Sequence, residues 1–564
     1  MQIIVPMSGF GERFRQAGYT IPKPLIEIEG KPIIAHVIDM FPGETHFLFI
    51  CNEEHLREPS FQIKEILNRY CPTGKVIGIS SHKRGPVHAV LQAAKEVDHS
   101  GPVIVNYCDF SCYWHWNHFI SYVKATRCDG AIPAYKGFHP HSLGNTNYAY
   151  LKEYQGWVQD IQEKRPFTEN RLEEYASSGT YYFSSGALML EACRTVIADE
   201  LQVGGEYYIS MAYRHLLENR CKVAIYELQH FMQWGTPEDL EEYSMWSNAF
   251  RQLVDPAYAS HLTVGGATLV PMAGLGERFR QAGYTTPKPL ISVSGKPMVV
   301  QATSDLPKTA RHVFVLRRDM PGSKEVAEIL KAQFPNAHSI LLDGPTDGQA
   351  RTAFLGWDIA YRNVLDDETV TIAACDNGML YRNSRLMDLL DDPATDVIVW
   401  VAKKYPNAVR YPHMYGWVDI DDTSGVVRNV SVKNPLNHPA QDAIITGTFT
   451  FRRALYFRQV VTRMIDRNAR VNGEFYLDVA IEDALALGLR VRAFAIDSYI
   501  GWGTPTELQT FQYWQSCFHK WSTHPYRLEH DLHVAGEARP MLSEFYAERC
   551  PALPESCALD RRAA

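Results

Sequence analysis

Residues 9–26 read GFGERFRQAGYTIPKPLI and residues 274–291 read GLGERFRQAGYTTPKPLI, with sixteen of eighteen positions identical. Identity this close within one chain indicates a duplicated segment. Five shorter motifs repeat in the same order, at an offset of 265 to 268 residues. In the first copy these motifs are Gly30-Lys31-Pro32, Tyr107-Cys108-Asp109, Ser178-Gly179-Thr180, Gly205-Glu206-Tyr207-Tyr208 and Trp234-Gly235-Thr236-Pro237. A period of this length predicts the duplication of a whole domain, not a solenoid.

The chain length agrees with a duplication, because 564 residues exceed what one domain usually holds. We expect a first domain at 1–250, a linker at 251–266, where Pro256 and Gly265-Gly266 interrupt the chain, and a second domain at 267–515. Residues 516–564 have no counterpart in the first copy and are expected to form an irregular C-terminal extension. A homo-oligomer is compatible with this organisation.

Each copy predicts an α/β fold. Short apolar runs at 3–5, 46–50 and 103–105 have counterparts at 268–270, 312–316 and 370–372, and helical stretches such as 87–97 and 349–360 alternate with them. Apolar strands that alternate with helices are typical of parallel sheets covered on both faces. We therefore predict two tandem Rossmann-like domains with mainly parallel sheets, which bind ligands beyond the carboxyl ends of the strands.

Composition excludes several classes of protein. Hydrophobic residues make up 46% and charged residues 21%, which is ordinary globular composition. The chain has 56 basic and 64 acidic residues, for a net charge of −8. Because this balance is acidic, we expect no nucleic-acid partner. The eleven cysteines are scattered, and the apolar runs are too short to cross a bilayer. We expect a cytoplasmic protein with no membrane partner.

A glycine loop and a proline-flanked lysine carry the first chemical signal. Gly9 and Gly11, with Gly274 and Gly276 in the second copy, would let backbone N–H groups approach a phosphate, although a tight strand-to-helix turn explains such a loop equally well. The prolines on both sides of Lys23 stiffen the backbone and direct the ammonium group. A rigid cation beside such a loop suits a triphosphate.

The glycine loop, the arginine after it, Pro-Lys-Pro and Gly-Lys-Pro together resemble the sugar-phosphate nucleotidyltransferase family, and the resemblance covers both copies. It implies Mg²⁺ as cofactor, with Asp109 and Asp376 as metal ligands at the end of a central strand. A helix N-cap is the alternative role for both aspartates. The resemblance also implies catalytic residues that steady the departing pyrophosphate, namely Arg13, Lys23, Arg278 and Lys288.

The remaining site residues are also implied by the resemblance. Gly85 in the first copy and Gly348-Gln349 in the second lie in the loops expected to contact the base, and these loops differ in sequence. The acceptor side would use a lysine for the phosphate and a glycine against the sugar. These residues are Lys164 and Gly179 in the first copy, and Lys433 and Gly447 in the second.

One departure concerns the second metal ligand of the family, an aspartate two residues before the glycine of Gly-Thr-Pro. Gln233 and Gly501 occupy these positions here. Glu206 and Glu474, in the matching Gly-Glu-aromatic-Tyr motifs, are candidate replacements, and structural capping is the alternative. Asp478 follows Glu474, whereas Ser210 takes that place in the first copy, so the second copy is the better candidate if a second carboxylate is needed.

The resemblance predicts a transferase that joins an NTP to a phosphorylated sugar or polyol, releases pyrophosphate and serves bacterial surface-polysaccharide synthesis. Two alternatives stay open. One copy could be regulatory or structural, and the first is the candidate because Phe110 replaces Asn377 and its base loop differs. The chain could also be a glycosyltransferase that uses a nucleotide sugar, although Pro-Lys-Pro argues against it.

Overall fold

A computed structural model describes residues 1–259, 262–362 and 364–554. Residues 260 and 261 of the expected linker, and 555–564 of the expected extension, lie outside the described residues. The chain forms two compact units. Among the described residues, the first contains Met1–Ser244 together with 547–554, and the second contains Met245–Tyr546. The boundary falls within the helix Pro237–Leu253.

The first unit alternates strands and helices along the chain. Its strands are β1 (Gln2–Met7), β2 (Glu27–Ile28), β3 (Lys31–Pro32), β4 (His46–Asn52), β5 (Lys75–Ile79), β6 (Val103–Asn106), β7 (Phe110–Tyr113), β8 (Gly130–Tyr135), β9 (Ala149–Tyr154), β10 (Trp157–Glu163), β11 (Tyr175–Ser177), β12 (Thr180–Phe183), β13 (Val223–Glu227) and β14 (His230–Gln233). Its helices are α1 (Glu12–Gln16), α2 (Ile33–Asp39), α3 (Glu53–Arg57), α4 (Ile63–Tyr70), α5 (Pro86–Gln92), α6 (Trp116–Thr126), α7 (Gly186–Ala198) and α8 (Ile209–Glu218), followed by α9 (Pro237–Leu253) at the boundary.

The second unit repeats this alternation. Its strands are β15 (Ala267–Pro271), β16 (Ser292–Val293), β17 (Lys296–Pro297), β18 (Arg311–Arg317), β19 (Ala337–Leu342), β20 (Val370–Ile372), β21 (Asn377–Leu380), β22 (Val397–Lys403), β23 (Gly416–Ile420), β24 (Val427–Val432), β25 (Ala443–Phe451), β26 (Val491–Ala495) and β27 (Ser498–Gly501). Its helices are α10 (Glu277–Gln281), α11 (Met298–Ser304), α12 (Ser323–Gln333), α13 (Gln349–Ala360), α14 (Asn383–Asp391), α15 (Pro406–Arg410), α16 (Ala454–Asp466), α17 (Leu477–Ala486), α18 (Pro505–Lys520) and α19 (Arg539–Phe545).

The main sheets of the two units share a strand order. In the first unit it runs β5-β4-β1-β6-β12-β8-β13 and continues through β10, β9 and β11. In the second it runs β19-β18-β15-β20-β25-β22-β26. Each of the seven strands from β5 to β13 has its counterpart at the same place, so the sequence repeat is matched by a repeat in topology. The predicted α/β, Rossmann-like fold class is confirmed.

Parallel pairing covers only part of each sheet. β5, β4, β1 and β6 are parallel neighbours, whereas β12 runs antiparallel to both β6 and β8. The second sheet has the same mixture around β25. Strand direction is invisible in the apolar runs, because buried parallel and buried antiparallel strands have similar composition. The reversal has a consequence for the site, since β12 begins where β6 ends and Thr180 pairs with Asn106.

The expected C-terminal extension contains regular structure. Its first residues, up to Lys520, belong to α18, and α19 lies farther along. Over 1–259, 262–362 and 364–554, no helix combines the length and the apolar character needed to cross a membrane.

Candidate functional site

The glycine loop and the Pro-Lys-Pro segment lie against each other in both copies. A methyl group added to Gly11 would lie 3.6 Å from Lys23 Cβ, and one added to Gly276 would lie 3.4 Å from Lys288 Cβ. Gly9 and Gly274 face open space, with no atom within 4 Å of an added methyl group. A ligand can therefore approach the loop backbone at the two outer glycines.

The lysine of each Pro-Lys-Pro segment forms an ion pair with an aspartate of the same copy. Lys23 Nζ donates to Asp109 Oδ2 at 2.7 Å, and Lys288 Nζ donates to Asp376 Oδ2 at 2.5 Å. Burial by itself lowers the pKa of each lysine, but the neighbouring carboxylate outweighs that effect and the pKa is raised. Each lysine is therefore charged at neutral pH and is held beside the glycine loop.

A short strand follows each aspartate. β7 begins directly after Asp109 and pairs with β14, and β21 begins directly after Asp376 and pairs with β27. The helix N-cap interpretation of these aspartates is therefore wrong, because the residues that follow them form β-ribbons. The ribbons bring the Trp-Gly-Thr-Pro motifs to the aspartates. Trp234 N donates to Asp109 O at 3.0 Å, and Trp502 N donates to Asp376 O at 2.9 Å.

The glycine after each of these tryptophans keeps a small space open beside the aspartate. A methyl group on Gly235 would lie 2.9 Å from both Asp109 Oδ2 and Gln233 Nε2. A methyl group on Gly503 would lie 3.2 Å from Asp376 Oδ2 and 3.4 Å from Glu507 Oε2. In the second copy two carboxylates line this space, which fits Mg²⁺ because that ion prefers oxygen ligands. In the first copy one carboxylate lines it, and the Gln233 atom that faces it is the amide nitrogen, which donates hydrogen bonds and does not bind Mg²⁺.

Glu507 is a site neighbour that sequence reasoning missed. It is buried, and its carboxylate accepts hydrogen bonds from Thr504 N, Tyr415 Oη and Asn407 Nδ2 at 3.0 to 3.1 Å. The available signal was the capping box, in which an N-cap threonine is followed three residues later by a glutamate. That signal predicts a helix start and says nothing about the neighbouring Asp376.

The two base loops are held by the Gly-Glu-aromatic-Tyr motifs. Tyr207 N donates to Arg84 O at 3.0 Å, and Val87 N donates to Tyr207 O at 3.1 Å. In the second copy, Phe475 N donates to Asp347 O at 2.8 Å, and Ala350 N donates to Phe475 O at 3.0 Å. Gly85 and Gly348 lie between these hydrogen bonds, and Gln349 is the first residue of α13. The two loops thus have the same backbone arrangement and different side chains.

Glu206 and Glu474, the candidate replacement ligands, accompany the acceptor lysines. Lys164 Nζ donates to Tyr208 Oη at 2.6 Å, and Tyr208 Oη donates in turn to Glu206. Glu474 is exposed and is hydrogen-bonded to the hydroxyl group of Tyr476. Among the described residues, no contact joins Glu206 to Asp109 or Glu474 to Asp376.

The acceptor lysines differ in their partners. Lys433 Nζ donates to the carbonyl oxygen of Met414, and it lies 5.4 Å from the centre of the Tyr476 ring. Burial lowers the pKa of Lys433; Asp478 opposes this shift and the positive charge of Arg278 adds to it. Arg13 and Arg278 are exposed on α1 and α10. Arg278 is thus linked electrostatically to Lys433 in the second copy, as Arg13 is to Tyr208 in the first.

The glycines expected to approach the sugar lie next to the aspartate segments. Tyr107 N donates to Gly179 O at 3.0 Å, and a methyl group on Gly179 would lie 3.0 Å from the Tyr107 ring. A methyl group on Gly447 would lie 3.2 Å from Ala374 Cβ. Each copy therefore gathers the glycine loop, the lysine–aspartate pair, the base loop and the acceptor segments.

Part of the chain is similar in sequence to known nucleotidyltransferases. A model of the MobA-like NTP transferase domain matches residues 3–174. Mannose-1-phosphate guanyltransferase beta-A of Xenopus laevis is 25% identical over 291 residues, covering 49% of this chain and 73% of the relative. The mannose-1-phosphate guanyltransferase of Schizosaccharomyces pombe is 28% identical over 196 residues, covering 33% of this chain and 51% of the relative. The chain thus spans about half the length of several of these curated relatives.

Solved structures also resemble the chain. A nucleoside-diphosphate-sugar pyrophosphorylase from Vibrio cholerae is 22% identical, with a TM-score of 0.36, over 43% of this chain and 98% of its own. The inositol-1-phosphate CTP transferase from T. maritima is 14% identical, with a TM-score of 0.34, over 45% of this chain and 95% of its own.

Proposed function

The chain belongs to the sugar-phosphate nucleotidyltransferase family, and on that premise we propose that it joins an NTP to a phosphorylated sugar or polyol and releases pyrophosphate. One observation carries the proposal. In both copies, the lysine between two prolines lies beside the glycine loop and is paired with the aspartate that follows a central strand. A copy kept only for structure would not need this pair of charges.

The proposed reaction needs no covalent enzyme intermediate, because the phosphate of the acceptor is itself the nucleophile. Its oxygen attacks the α-phosphorus of the NTP in line, the bond to the β-phosphate oxygen breaks, and pyrophosphate leaves. Catalysis then consists of positioning and charge stabilisation. Lys23 and Lys288, with Arg13 and Arg278, would stabilise the departing pyrophosphate.

The acceptor would be oriented from the opposite side of the site. Lys164 and Lys433 would bind its phosphate, with Gly179 and Gly447 against the sugar. The glycine loops and the base loops would hold the nucleotide. Because the base loops differ in sequence, the two copies would prefer different nucleotides.

Mg²⁺ is the proposed cofactor. Asp109 would hold it in the first copy with the Gln233 amide beside it, and Asp376 would hold it in the second with Glu507 beside it. When bound, the cation supplies neutralisation of phosphate charge. Each lysine ammonium is paired with the same aspartate, so the lysine would release this carboxylate when it turns to phosphate.

The domain limits remain part of the proposal, with one site in 1–250 and one in 267–515. The product class, a nucleotide-diphospho sugar, is a glycosyl donor. We therefore propose a role in bacterial surface-polysaccharide synthesis in the cytoplasm, with a homo-oligomer as a possible assembly.

The test is pyrophosphate release from ATP, CTP, GTP, UTP and dTTP with Mg²⁺. Acceptors would be mannose 1-phosphate, glucose 1-phosphate and inositol 1-phosphate. Wild type, Asp109→Ala, Asp376→Ala and the double variant are compared with Asp422→Ala, which removes an exposed carboxylate. We expect each single variant to lose one nucleotide–acceptor combination and the double variant to lose all.

Two other outcomes have clear meanings. If one single variant loses all turnover and the other loses none, the chain has one catalytic copy and one regulatory or structural copy. Full turnover in the double variant would contradict the proposed site, and no turnover by the folded wild type with any pair would contradict the proposed function.

A further inference from the structure

The two copies carry a carboxyl group on different elements beside the acceptor lysine. In the first copy, Ala149 of β9 pairs with Glu163 of β10. In the second, Gly416 of β23 pairs with Val432 of β24, so the strand has lost its glutamate. A helix follows the Gly-Glu-aromatic-Tyr motif in each copy, and its second residue is Ser210 in α8 and Asp478 in α17. Three corresponding positions thus differ between the copies. They are Ala149 and Gly416, Glu163 and Val432, and Ser210 and Asp478.

In the first copy, the strand provides the carboxyl group and the helix a hydroxyl group. Ser210 Oγ donates to Glu163 Oε2 at 2.6 Å, and Ser210 is fully buried. Glu163 directly precedes Lys164 and is itself partly exposed. Ser210 therefore holds the carboxyl group from its buried side, while a ligand can still reach the exposed part of Glu163.

In the second copy, the helix provides the carboxyl group and the strand makes room for it. A methyl group on Gly416 would lie 2.1 Å from Asp478 Oδ2, far inside van der Waals contact. The alanine found at the matching position of the first copy could therefore not coexist with Asp478 in this place. The negative charge of Asp478 acts on Lys433, which puts the relocated carboxyl group on the acceptor side of the second copy.

The chemistry of the acceptor explains why a carboxyl group would be kept. A phosphorylated sugar or polyol presents hydroxyl groups near its phosphate, and a carboxylate accepts hydrogen bonds from them while the lysine binds the phosphate. Hydrogen bonds to hydroxyl groups discriminate strongly between substrates, because a mismatched acceptor leaves a buried polar group unpaired. A carboxylate that comes from another direction selects a different arrangement of hydroxyl groups.

We propose that Asp478 binds the acceptor's hydroxyl groups in the second copy, and that the move of the carboxylate from strand to helix gives the two copies different acceptor preferences. The inference rests on the proposed function. It adds a specificity-determining residue to Lys433, Gly447 and Glu474 on the acceptor side of the second copy.

The first test measures binding by calorimetry on the full chain, in the Lys164→Met background so that the first site does not mask the second. Mannose 1-phosphate, glucose 1-phosphate and inositol 1-phosphate are the probes. Asp478→Asn keeps the shape of the side chain and should weaken the best-bound probe about tenfold, the loss expected for a hydrogen bond to a charged group. Glu482→Gln makes the same charge change at an exposed position of α17 and should leave the probes unaffected.

The second test exchanges the acceptor environment. Gly416→Ala, Val432→Glu and Asp478→Ser together give the second copy the residues of the first. The order of affinities for the three probes should then change toward the order measured for the first copy in a Lys433→Met background. Should the triple variant lose its folded-state melting transition, Asp478→Ser alone serves, with weakened binding as the expected result.

The outcomes separate this inference from the proposed function. If the wild type transfers nucleotides but Asp478→Asn binds and discriminates the probes like the parent, the inference is wrong and the function stands. Equal weakening of binding by Asp478→Asn and Glu482→Gln would also overturn the inference. The effect would then come from the net charge of α17 and not from a contact between Asp478 and the probe. Absence of both turnover and probe binding in the wild type would overturn the inference and the function together.

Discussion

The two copies are nearly identical on the phosphate side and different on the acceptor side. Lys23 and Asp109 form the same ion pair as Lys288 and Asp376. On the other side, Lys164 donates to a tyrosine hydroxyl group and Lys433 to a backbone carbonyl. The carboxyl group beside the lysine has also moved from a strand to a helix.

Under the proposed function, this difference follows from what each side would recognise. Every NTP carries the same triphosphate, so substitutions on that side would cost binding and turnover for any nucleotide. Acceptors differ in their hydroxyl groups, so the acceptor side can diverge without loss of the common chemistry. The comparison predicts that variants on the phosphate side have matching effects in both copies and variants on the acceptor side do not.

The largest expected effect concerns a feature of the second unit without counterpart in the first. The ring of His533 lies 3.3 Å from Asp305 Oδ1 and 3.5 Å from Asp531 Oδ1. Burial disfavours the charged ring, but Asp305 and Asp531 outweigh it and raise the pKa of His533 to about 10. His533→Gln would leave two buried carboxylates uncompensated, at a cost on the order of 4 kcal/mol of unfolding free energy.

The sign of the pH dependence follows from the raised pKa. The contribution of His533 is fully present below the usual histidine pKa of 6.5 and is lost as the pH rises through about 10. In urea denaturation, the unfolding free energies of wild type and His533→Gln should therefore differ strongly at pH 6 and only slightly at pH 10.5. His530→Gln, an exposed neighbour, is the control, and a gap that does not depend on pH would contradict the prediction.

The lysines of the phosphate side should have the next largest effect. Lys23→Met removes a preorganised cation and leaves Asp109 without its partner, so turnover at the first copy should fall about 10²-fold, or about 3 kcal/mol of barrier. Lys288→Met should do the same at the second copy. Pyrophosphate release with the nucleotide of each copy measures both, and Lys75→Met removes an exposed lysine as control. If both copies are active and the two variants lose unequal fractions of turnover, the predicted equivalence of the two phosphate sides is wrong.

The base loop of the first copy permits a matched pair of glycine substitutions. Gly85 and Gly205 both have φ of +83°, so alanine is disfavoured at either position. A methyl group on Gly85 would lie 2.7 Å from the backbone of Tyr207, whereas on Gly205 it would meet no atom within 4 Å. Gly85→Ala should therefore cost about 2 kcal/mol more unfolding free energy than Gly205→Ala. Equal losses in urea denaturation would contradict the close packing of the loop.

The smallest expected effect compares the two acceptor-side carboxyl groups. Burial raises the pKa of Glu163 to about 7 and that of Asp478 to about 6. A raised carboxyl pKa means that the folded state releases its proton at higher pH than the unfolded state, so stability falls as the pH rises through this interval. Both groups are partly exposed, so solvent screening reduces the effect. Glu163→Gln and Asp478→Asn should therefore each be more stable than wild type at pH 8, by about 1 kcal/mol, and equal to it near pH 4.

Urea denaturation at pH 4, 6 and 8 measures the two carboxyl groups side by side. The difference in unfolding free energy between variant and wild type should develop between about pH 4.5 and 7 for Glu163→Gln, and between about pH 3.8 and 6 for Asp478→Asn. Asp422→Asn, at an exposed carboxyl group, should show no gap. A lower stability of either variant at pH 8 would show that the carboxylate stabilises the fold.

Much of the fold could be predicted from local patterns. The runs at 3–5 and 268–270 became β1 and β15, and the helical stretch 349–360 became α13. Strand direction could not be predicted, because β12 and β25 are as apolar as the parallel strands around them. The ribbon after Asp109 was also missed, since its pairing with β14 depends on residues more than a hundred positions away.

The candidate site divides in the same way. The motifs identified Lys23 and Asp109, and the structure brings them together. The roles of these residues in catalysis stay a prediction. Glu507 was not found because a capping box describes only its own helix, and the place of Glu206 beside Lys164 depends on the contact of both with Tyr208.

The sequence by itself determined that the chain contains a duplication, that each copy is α/β, and which glycine, lysine and aspartate motifs recur. These properties depend on residue identity and on periodicity along the chain, which are both local. Only the tertiary structure decided which motifs meet. It placed Gly503 between Asp376 and Glu507, and it revealed that Gly416 leaves room for Asp478. Such contacts join residues that are far apart in sequence, because packing depends on three-dimensional distance and not on separation along the chain.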